Sequence, residues 1–400
     1  MDWIKKHKLS VAISLVLIIL AGCCLGVYAK MRNTLEYTKA AKKWAGNSGE
    51  SFAYISCFVA ETARIDQQAV YSFKSTLETK LTENSIEAAE GRTLWTFAYC
   101  GNGSVYASTD KGSATVEALG VGGDFFFFHP MQLRSGNYIA ESDLMHDGVV
   151  IDKELAWKLF GAIEVDGMEL EISGRKFYVA GVVERDSDFA SKEAYGKDIG
   201  LYMAYDVFNE ISGEEINCYE LVFPNPVTNF AMNIVKDNFP GGDTAVYVDE
   251  GARYGISGIW SVIKDFGKRS MRTDGVIFPY WENAARLTED YAAAALLLFF
   301  VFILVPVIIA AVLVYKYAKK GASVLLGKTK ELSVKLCDDM NDRLYEKEQH
   351  AKVLEEQRLE EEKKAEEAEA DAEKADKDDG NDFSADDLSE EAYSEDSSAD

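Results

Sequence analysis

Two uncharged apolar runs decide what this chain can fold into. Leu9–Ala29 extends for about 21 residues and Tyr291–Tyr315 for about 25, each long enough to cross a bilayer as a helix. A hydrocarbon core offers backbone amides no water, so such segments are expected to be helical from end to end. Pro306 falls inside the second run, where a membrane helix tolerates it better than a soluble one. The runs divide the chain into residues 1–8, a first span 9–29, an intervening segment 30–290, a second span 291–315 and a terminal region 316–400.

Charge supplies the orientation. Lys5, Lys6 and Lys8 precede the first run, and Lys316, Lys319, Lys320 and Lys328 follow the second. Positive flanks stay in the cytoplasm, so both termini are expected inside and residues 30–290 outside, with Tyr291, Tyr315 and Tyr317 at the interfaces. The first run has a competing reading. Leu20-Ala21-Gly22-Cys23 has the form of a bacterial lipobox, in which Cys23 is lipidated after cleavage. The apolar character continues past it through Ala29, which favours an uncleaved anchor helix.

The net charge of −25 falls mostly beyond Asn341, so the acidity belongs to the end of the chain. An acidic chain without a basic stripe argues against nucleic acid as a partner. Residues 316–370 read as a basic patch at the membrane surface followed by a charged helix. Leu332, Leu336, Met340 and Leu344 give that helix one apolar stripe, which either seeds a short coiled coil or belongs to a single charged helix. Residues 371–400 are acidic and rich in Ser and Ala, and disorder is expected there.

The intervening segment reads as an α+β extracytoplasmic domain made of two small α/β subdomains. Asn33–Gly49 is polar and lysine-rich, a helical stem lifting the domain off the membrane. Ser51–Ala60 alternates as a strand, and Thr62–Leu81 carries Ile65, Ala69, Phe73, Leu77 and Leu81 at helical spacing. Thr93–Tyr99 and Ser104–Ser108 flank Cys100-Gly-Asn-Gly103 as a hairpin. Gly148–Ile151 is a strand, followed by a short helix with Asp152 as N-cap, Glu154 in its first turn and Gly161 as its stop. Strands Met168–Ile172 and Lys176–Val183 meet at Ser173-Gly174-Arg175, and the alternation Phe177, Val179, Gly181, Val183 buries one face. Glu184–Asp198 reads as an exposed loop and Gly200–Tyr205 as a strand. Tyr219–Phe223 is a further strand, Thr228–Phe239 an amphipathic helix and Ala245–Val248 a last strand, a unit covering its sheet from one side. Ile256–Arg269 and Pro279–Asp290 lead as helix into the second span.

In order and spacing, Phe125–Phe128, Leu133–Asn137, Val149–Gly161 and Gly167–Val183 resemble the MacB-like periplasmic core domain, the extracytoplasmic module of one class of ABC transporter permeases. The resemblance covers roughly Ser51 to Val183. It implies a non-catalytic membrane subunit, in the plasma membrane of a bacterium, whose outer domain relays ATPase-driven helix motion to substrate or partner proteins. Two departures bear on partners. No ATPase domain is present, and one helix follows the core where the family usually has three. An ABC ATPase and a multi-helix permease subunit are therefore the implied partners, in a homo- or hetero-oligomer beside membrane lipids. A second reading, from a different class, is a two-helix cell-surface adaptor or sensor with a partner-recruiting acidic cytoplasmic tail.

No catalytic, cofactor or metal constellation is legible. Gly120–Gly123 lacks the full dinucleotide-binding pattern and leads into four phenylalanines, which read as core. Gly321 to Thr329 places five residues where a phosphate-binding loop needs four. His129 and His146 have no carboxylate or cysteine at ligand spacing and read as ordinary loop histidines. Of six cysteines, Cys57, Cys100 and Cys218 lie outside, an odd number for a disulfide framework; Cys57–Cys100 is the pair a bridge would join. The residues singled out are structural: Gly136, Leu155, Ala156, Phe160, Gly161, Gly167, Gly174 and Gly181, with turn geometry and core packing as their roles.

Overall fold

A computed structural model describes residues 8–88, 91–194, 199–266 and 276–375. The chain falls into two compact units, residues 1–309 and 310–400. In the first, helix α1 (Lys8–Thr34) contains the first apolar run and leads through a turn at Tyr37–Lys39 to α2 (Ala40–Ala45). Strand β1 (Phe52–Phe58) and α3 (Gln67–Glu83) follow, the helix opened by Asp66, whose side chain accepts from the Ala69 amide at 2.8 Å. Then come β2 (Thr96–Ser108), β3 (Ser113–Gly123), α4 (Phe125–Phe128), β4 (Gln132–Gly136), β5 (Gly148–Asp152) and α5 (Lys153–Phe160). The hairpin β6 (Glu169–Ile172) and β7 (Arg175–Glu184) precedes α6 (Phe189–Ala194), β8 (Ile199–Ala204) and α7 (Tyr205–Ser212). The domain closes with β9 (Cys218–Pro224), α8 (Phe230–Asn238), β10 (Val246–Asp249) and α9 (Ile256–Asp265). Helix α10 (Tyr280–Ala375) contains the second apolar run, Pro306 included.

The strands form one mixed sheet in the order β10-β1-β9-β2-β3-β8-β5-β7-β4. Strand β2 belongs to two parts of it. Its first half, Thr96–Cys100, pairs β9, while its end, Ala107–Ser108, pairs β6. Because β6 also pairs β7, the strands β2, β3, β8, β5, β7 and β6 close into a ring. Two separate subdomains were expected; the two parts are instead continuous through β2.

Apolar side chains fill both faces. One cluster joins β1, β9 and the ring to Phe73 and Leu77 of α3, Leu159 and Phe160 of α5, Phe208 of α7 and Val235 of α8. The other face packs Tyr54, Phe58 and Cys100 against Leu35, Tyr37, Phe125, Phe128, Phe278 and Trp281. A sheet covered on one side was expected for this region. The burial of all but the first residue of β1, and of every residue of β9, reflects cover on both.

The expected elements around Asp152 are present. Its side chain accepts from the Leu155 amide at 2.6 Å, and Gly161 ends α5 in the left-handed region. Ser173 and Gly174 both carry positive φ and link β6 to β7 as a two-residue turn of the kind that matches strand twist. The single buried face expected for β7 is corrected. Val149 pairs Val179 and Val150 pairs Gly181, so Ala180 is an extra residue, a bulge that reverses the alternation. Val182 therefore joins the first cluster and Val183 the second.

Further corrections concern turns and loops. Cys100-Gly-Asn-Gly103 lies inside β2, where the glycines make room for α7 and its loop: a Cβ at Gly101 would sit 2.7 Å from the Glu215 carbonyl. Residues 35–45 are no stem, since Leu35, Tyr37 and Ala40 are buried in the second cluster. The loop expected after Val183 contains α6, with Ala190 and Ser191 buried; residues 195–198 lie outside the described residues. Cys57 and Cys100 sit on opposite faces of the sheet, so the suggested bridge is not available; Cys100 is instead opposite Cys218. In the second unit, Leu332, Leu336, Met340 and Leu344 are exposed on α10. Gly321 to Thr329 are helical there, which leaves no loop to cradle a phosphate. The helix includes residues 371–375 of the expected tail, and residues 376–400 lie outside the described residues.

A buried polar junction at the base of the domain as candidate functional site

The buried charge of the domain gathers where its last strand meets the start of α10. After β10 the chain turns through Asp249, whose carboxylate accepts from the Gly251 and Ala252 amides at 3.0 and 3.1 Å. Glu250 continues the sheet by one bond, its amide donating to the Tyr54 carbonyl at 2.8 Å. The turn delivers Arg253 to the first turns of α10. Its Nη1 donates to Glu250 Oε2 at 2.5 Å and Glu282 Oε2 at 2.9 Å, Nη2 donates to Glu282 Oε1 at 3.1 Å, and Nε donates to Glu289 Oε1 at 2.7 Å. Arg286 Nε donates to Glu282 Oε1 at 2.7 Å, and its guanidinium lies over the Phe278 ring at 3.7 Å.

Arg253, Glu250, Glu282 and Glu289 are all buried. Burial, with Glu282 adding to it, pushes the Glu250 carboxyl up to about 8 against the opposing pull of Arg253. Glu282 moves the other way. Burial works against its charge, but Arg253 and Arg286 outweigh it and hold this carboxyl below its ordinary range. A carboxylate in the first turn of a helix also meets the positive end of the helix dipole.

Three tyrosine hydroxyls bond at the same place, two of them from the N-terminal segment. Tyr28 Oη donates to the Tyr254 carbonyl at 2.8 Å, Tyr254 Oη donates to the Ala285 carbonyl at 3.3 Å, and Tyr37 Oη donates to the Trp281 carbonyl at 2.5 Å. Below the sheet, Glu220 of β9 accepts from Tyr54 Oη at 2.8 Å and Ser56 Oγ at 3.1 Å, and its other oxygen meets His129 Nε2 at 2.5 Å. His129 packs on Trp281, ring centroids 4.3 Å apart. The loop-histidine reading is thus corrected for His129, which is buried in this network. His146 meets Asp206 at 2.6 Å and is partly exposed.

The residues singled out in the sequence lie elsewhere. Leu155, Ala156 and Phe160 are buried in the first cluster, and Gly161, Gly167 and Gly174 occupy positive-φ turns. Gly136 and Gly181 face each other across β4 and β7, where a Cβ on Gly136 would stand 2.1 Å from the Ala180 carbonyl. Cys23 is exposed within α1. Sequence reasoning missed the junction because its charges are spread over 40 positions and look like surface residues. The one local signal was Glu282 and Glu289 directly ahead of an apolar run. Among the described residues no group of three or more His, Cys, Asp or Glu is placed to hold a metal ion.

Residues 59–230 match the family model of the MacB-like periplasmic core domain. Glu220 and His129 fall inside that match, and the Arg253 cluster outside it. Similar solved structures include the periplasmic region of MacB from Actinobacillus actinomycetemcomitans, 17% identical over 57% of this chain and 100% of that one, with a TM-score of 0.37. The extracellular domain of the noncanonic ABC-type transporter YknZ from Gram-positive bacteria is 14% identical over 49% of this chain and 100% of that one, with a TM-score of 0.35. A domain of a putative permease from Porphyromonas gingivalis is 14% identical over 49% and 87%, with a TM-score of 0.28. A comparison with curated proteins gave no match.

Proposed function

We propose that this chain is a non-catalytic membrane subunit of an ABC transport system, whose MacB-like outer domain is coupled to two membrane-spanning helices and relays their ATPase-driven motion to substrate or partner proteins. The family match over residues 59–230 supports the transporter setting, and two helices long and apolar enough to cross a membrane flank the domain. One observation carries the coupling. Arg253, on the sheet side, is hydrogen bonded to Glu282 and Glu289 at the head of α10, while Tyr28 and Tyr37 of the N-terminal segment bond to backbone carbonyls of the same junction. Buried as they are, these links cannot slacken without leaving charges or polar groups unpaired in a low dielectric. A displacement of either helix is therefore passed to the sheet.

In this reading the domain lies outside the plasma membrane of a bacterium, both termini are cytoplasmic, and a separate ABC ATPase with a multi-helix permease completes the assembly. Crosslinking in native membranes followed by purification of the tagged full chain tests it. Recovery of an ABC ATPase supports the transport role. Recovery of cytoplasmic proteins alone, lost when Lys328–Asp400 is deleted, would replace it with an adaptor or sensor.

A further inference from the structure

Helix α9 carries three stripes of different chemistry. Ile259 and Val262 are buried in a cluster with Tyr28 of α1 and Ala292, Ala293, Ala295 and Leu296 of α10. Ser257, Ser261 and Asp265, spaced by four, line a cleft of about 730 Å³ that also contains Val248 and Arg253. Ile256 and Trp260 point to neither; they are 74% and 51% exposed, and Ile263 continues their stripe at partial burial. Ser257, Ser261 and Asp265 are exposed as well, so the helix buries one apolar stripe in the protein and leaves a second, Ile256 and Trp260, uncovered beside a polar one.

The partners of the buried stripe fix the depth of this helix. Ala292 to Leu296 are the first turns of the second apolar run, so α9 packs at the level where that run enters the membrane. Small alanines there let the helices approach closely. On another side of the domain, Phe189 of α6 meets Tyr291 edge to face at 4.9 Å between centroids, which brings the fold down to the same level. A tryptophan at that height matches the preference of the indole ring for the headgroup boundary.

We infer that α9 is an interfacial helix, lying in the leaflet on the domain's side with Ile256, Trp260 and Ile263 covered by lipid. A helix of this kind sinks about 5–10 Å into the headgroup and acyl boundary. The lipid surface is thereby a second support for the domain, set beside the Arg253 cluster through the cleft lined by the polar stripe.

Spin-label accessibility on the full chain in phospholipid nanodiscs tests this. Labels at Ile256→Cys and Trp260→Cys are expected to show an oxygen-to-nickel-chelate accessibility ratio close to that of Leu304→Cys in the span and above that of Tyr106→Cys on the sheet. Ser261→Cys, on the polar stripe, should read lower than Trp260→Cys. A ratio at 256 and 260 equal to that at 106 would place the stripe in water and overturn the inference. Low accessibility to both reagents at 256 and 260 would mean protein covers the stripe and would overturn it equally. A water-like value at 304 would remove the membrane span on which the depth argument stands.

Discussion

Arg253 grips Glu282 with two hydrogen bonds, Nη1 to Oε2 at 2.9 Å and Nη2 to Oε1 at 3.1 Å, and so joins the loop after the last strand to the first turn of α10. Side-on pairing of this kind fixes orientation as well as distance, because the guanidinium fork and the carboxylate are both planar. Replacing Arg253 with Met removes the cation that Glu250, Glu282 and Glu289 share. The expected cost is about 3–5 kcal/mol, the usual penalty for breaking a buried ion pair from one side. A thermal melt of the full chain in nanodiscs reads it, and a midpoint within a degree of the parent would show that the cluster is solvated.

Glu250 makes the stability of the junction depend on pH. Its carboxyl is raised from 4.5 to about 8 in the folded protein, first by burial. Between those values the folded state holds a proton that the unfolded state has lost, so stability is highest at the acidic end and falls as pH rises through the window. Melts from pH 5 to 8.5 should show that decline, and Glu250→Gln should flatten it. An identical slope in the variant would assign the decline to other groups.

Phe160 is buried on α5 among the ring strands. Phe160→Ala should cost about 3–5 kcal/mol, the sum of lost transfer energy and the cavity left behind. Chemical denaturation of the full chain with an unchanged midpoint would place that side chain outside the core.

Two glycines with nearly the same φ should respond differently to a methyl group. Gly161, at φ 70°, has nothing within 4 Å of an added Cβ, whereas Gly136, at φ 69°, would press one against the Ala180 carbonyl at 2.1 Å. Gly161→Ala should therefore cost about 1 kcal/mol of backbone strain, and Gly136→Ala should cost more, beyond the roughly 1–3 kcal/mol of strain alone. Equal melting shifts would mean that the bulge at Ala180 yields freely.

What the sequence revealed and what it hid follow from the range of the forces involved. The unit from Asp147 to Val183 was legible because its signals are local: Asp152 caps its helix, Gly161 stops it, and Ser173-Gly174 sets a turn within four residues. The amphipathic α3 was legible for the same reason. The ring was not, since β2 pairs both β9 and β6 along one edge of a single continuous strand and its interior glycines imitate a turn. Nor was the second layer over β1 and β9, whose cover comes from residues 35–45 and from Phe278 and Trp281, at opposite ends of the domain. His129 and Glu220 are 91 positions apart, and nothing local marks either as buried. Arg253 looked like any surface arginine because its three carboxylates come from two elements that meet only after folding.

The stiffness of the junction can be read directly. Spin labels at Tyr106→Cys on the sheet and Tyr291→Cys at the head of the span, in a chain whose Cys23, Cys24 and Cys337 are replaced by serine, report the distance between domain and helix by pulsed dipolar spectroscopy in nanodiscs. If the domain relays helix motion through Arg253 and Glu282, the parent gives one narrow distance distribution, and Arg253→Lys, which keeps the charge but not the fork, broadens it. A broad distribution in the parent would mean that the domain swings on a tether, and no motion of the helix could be passed to it.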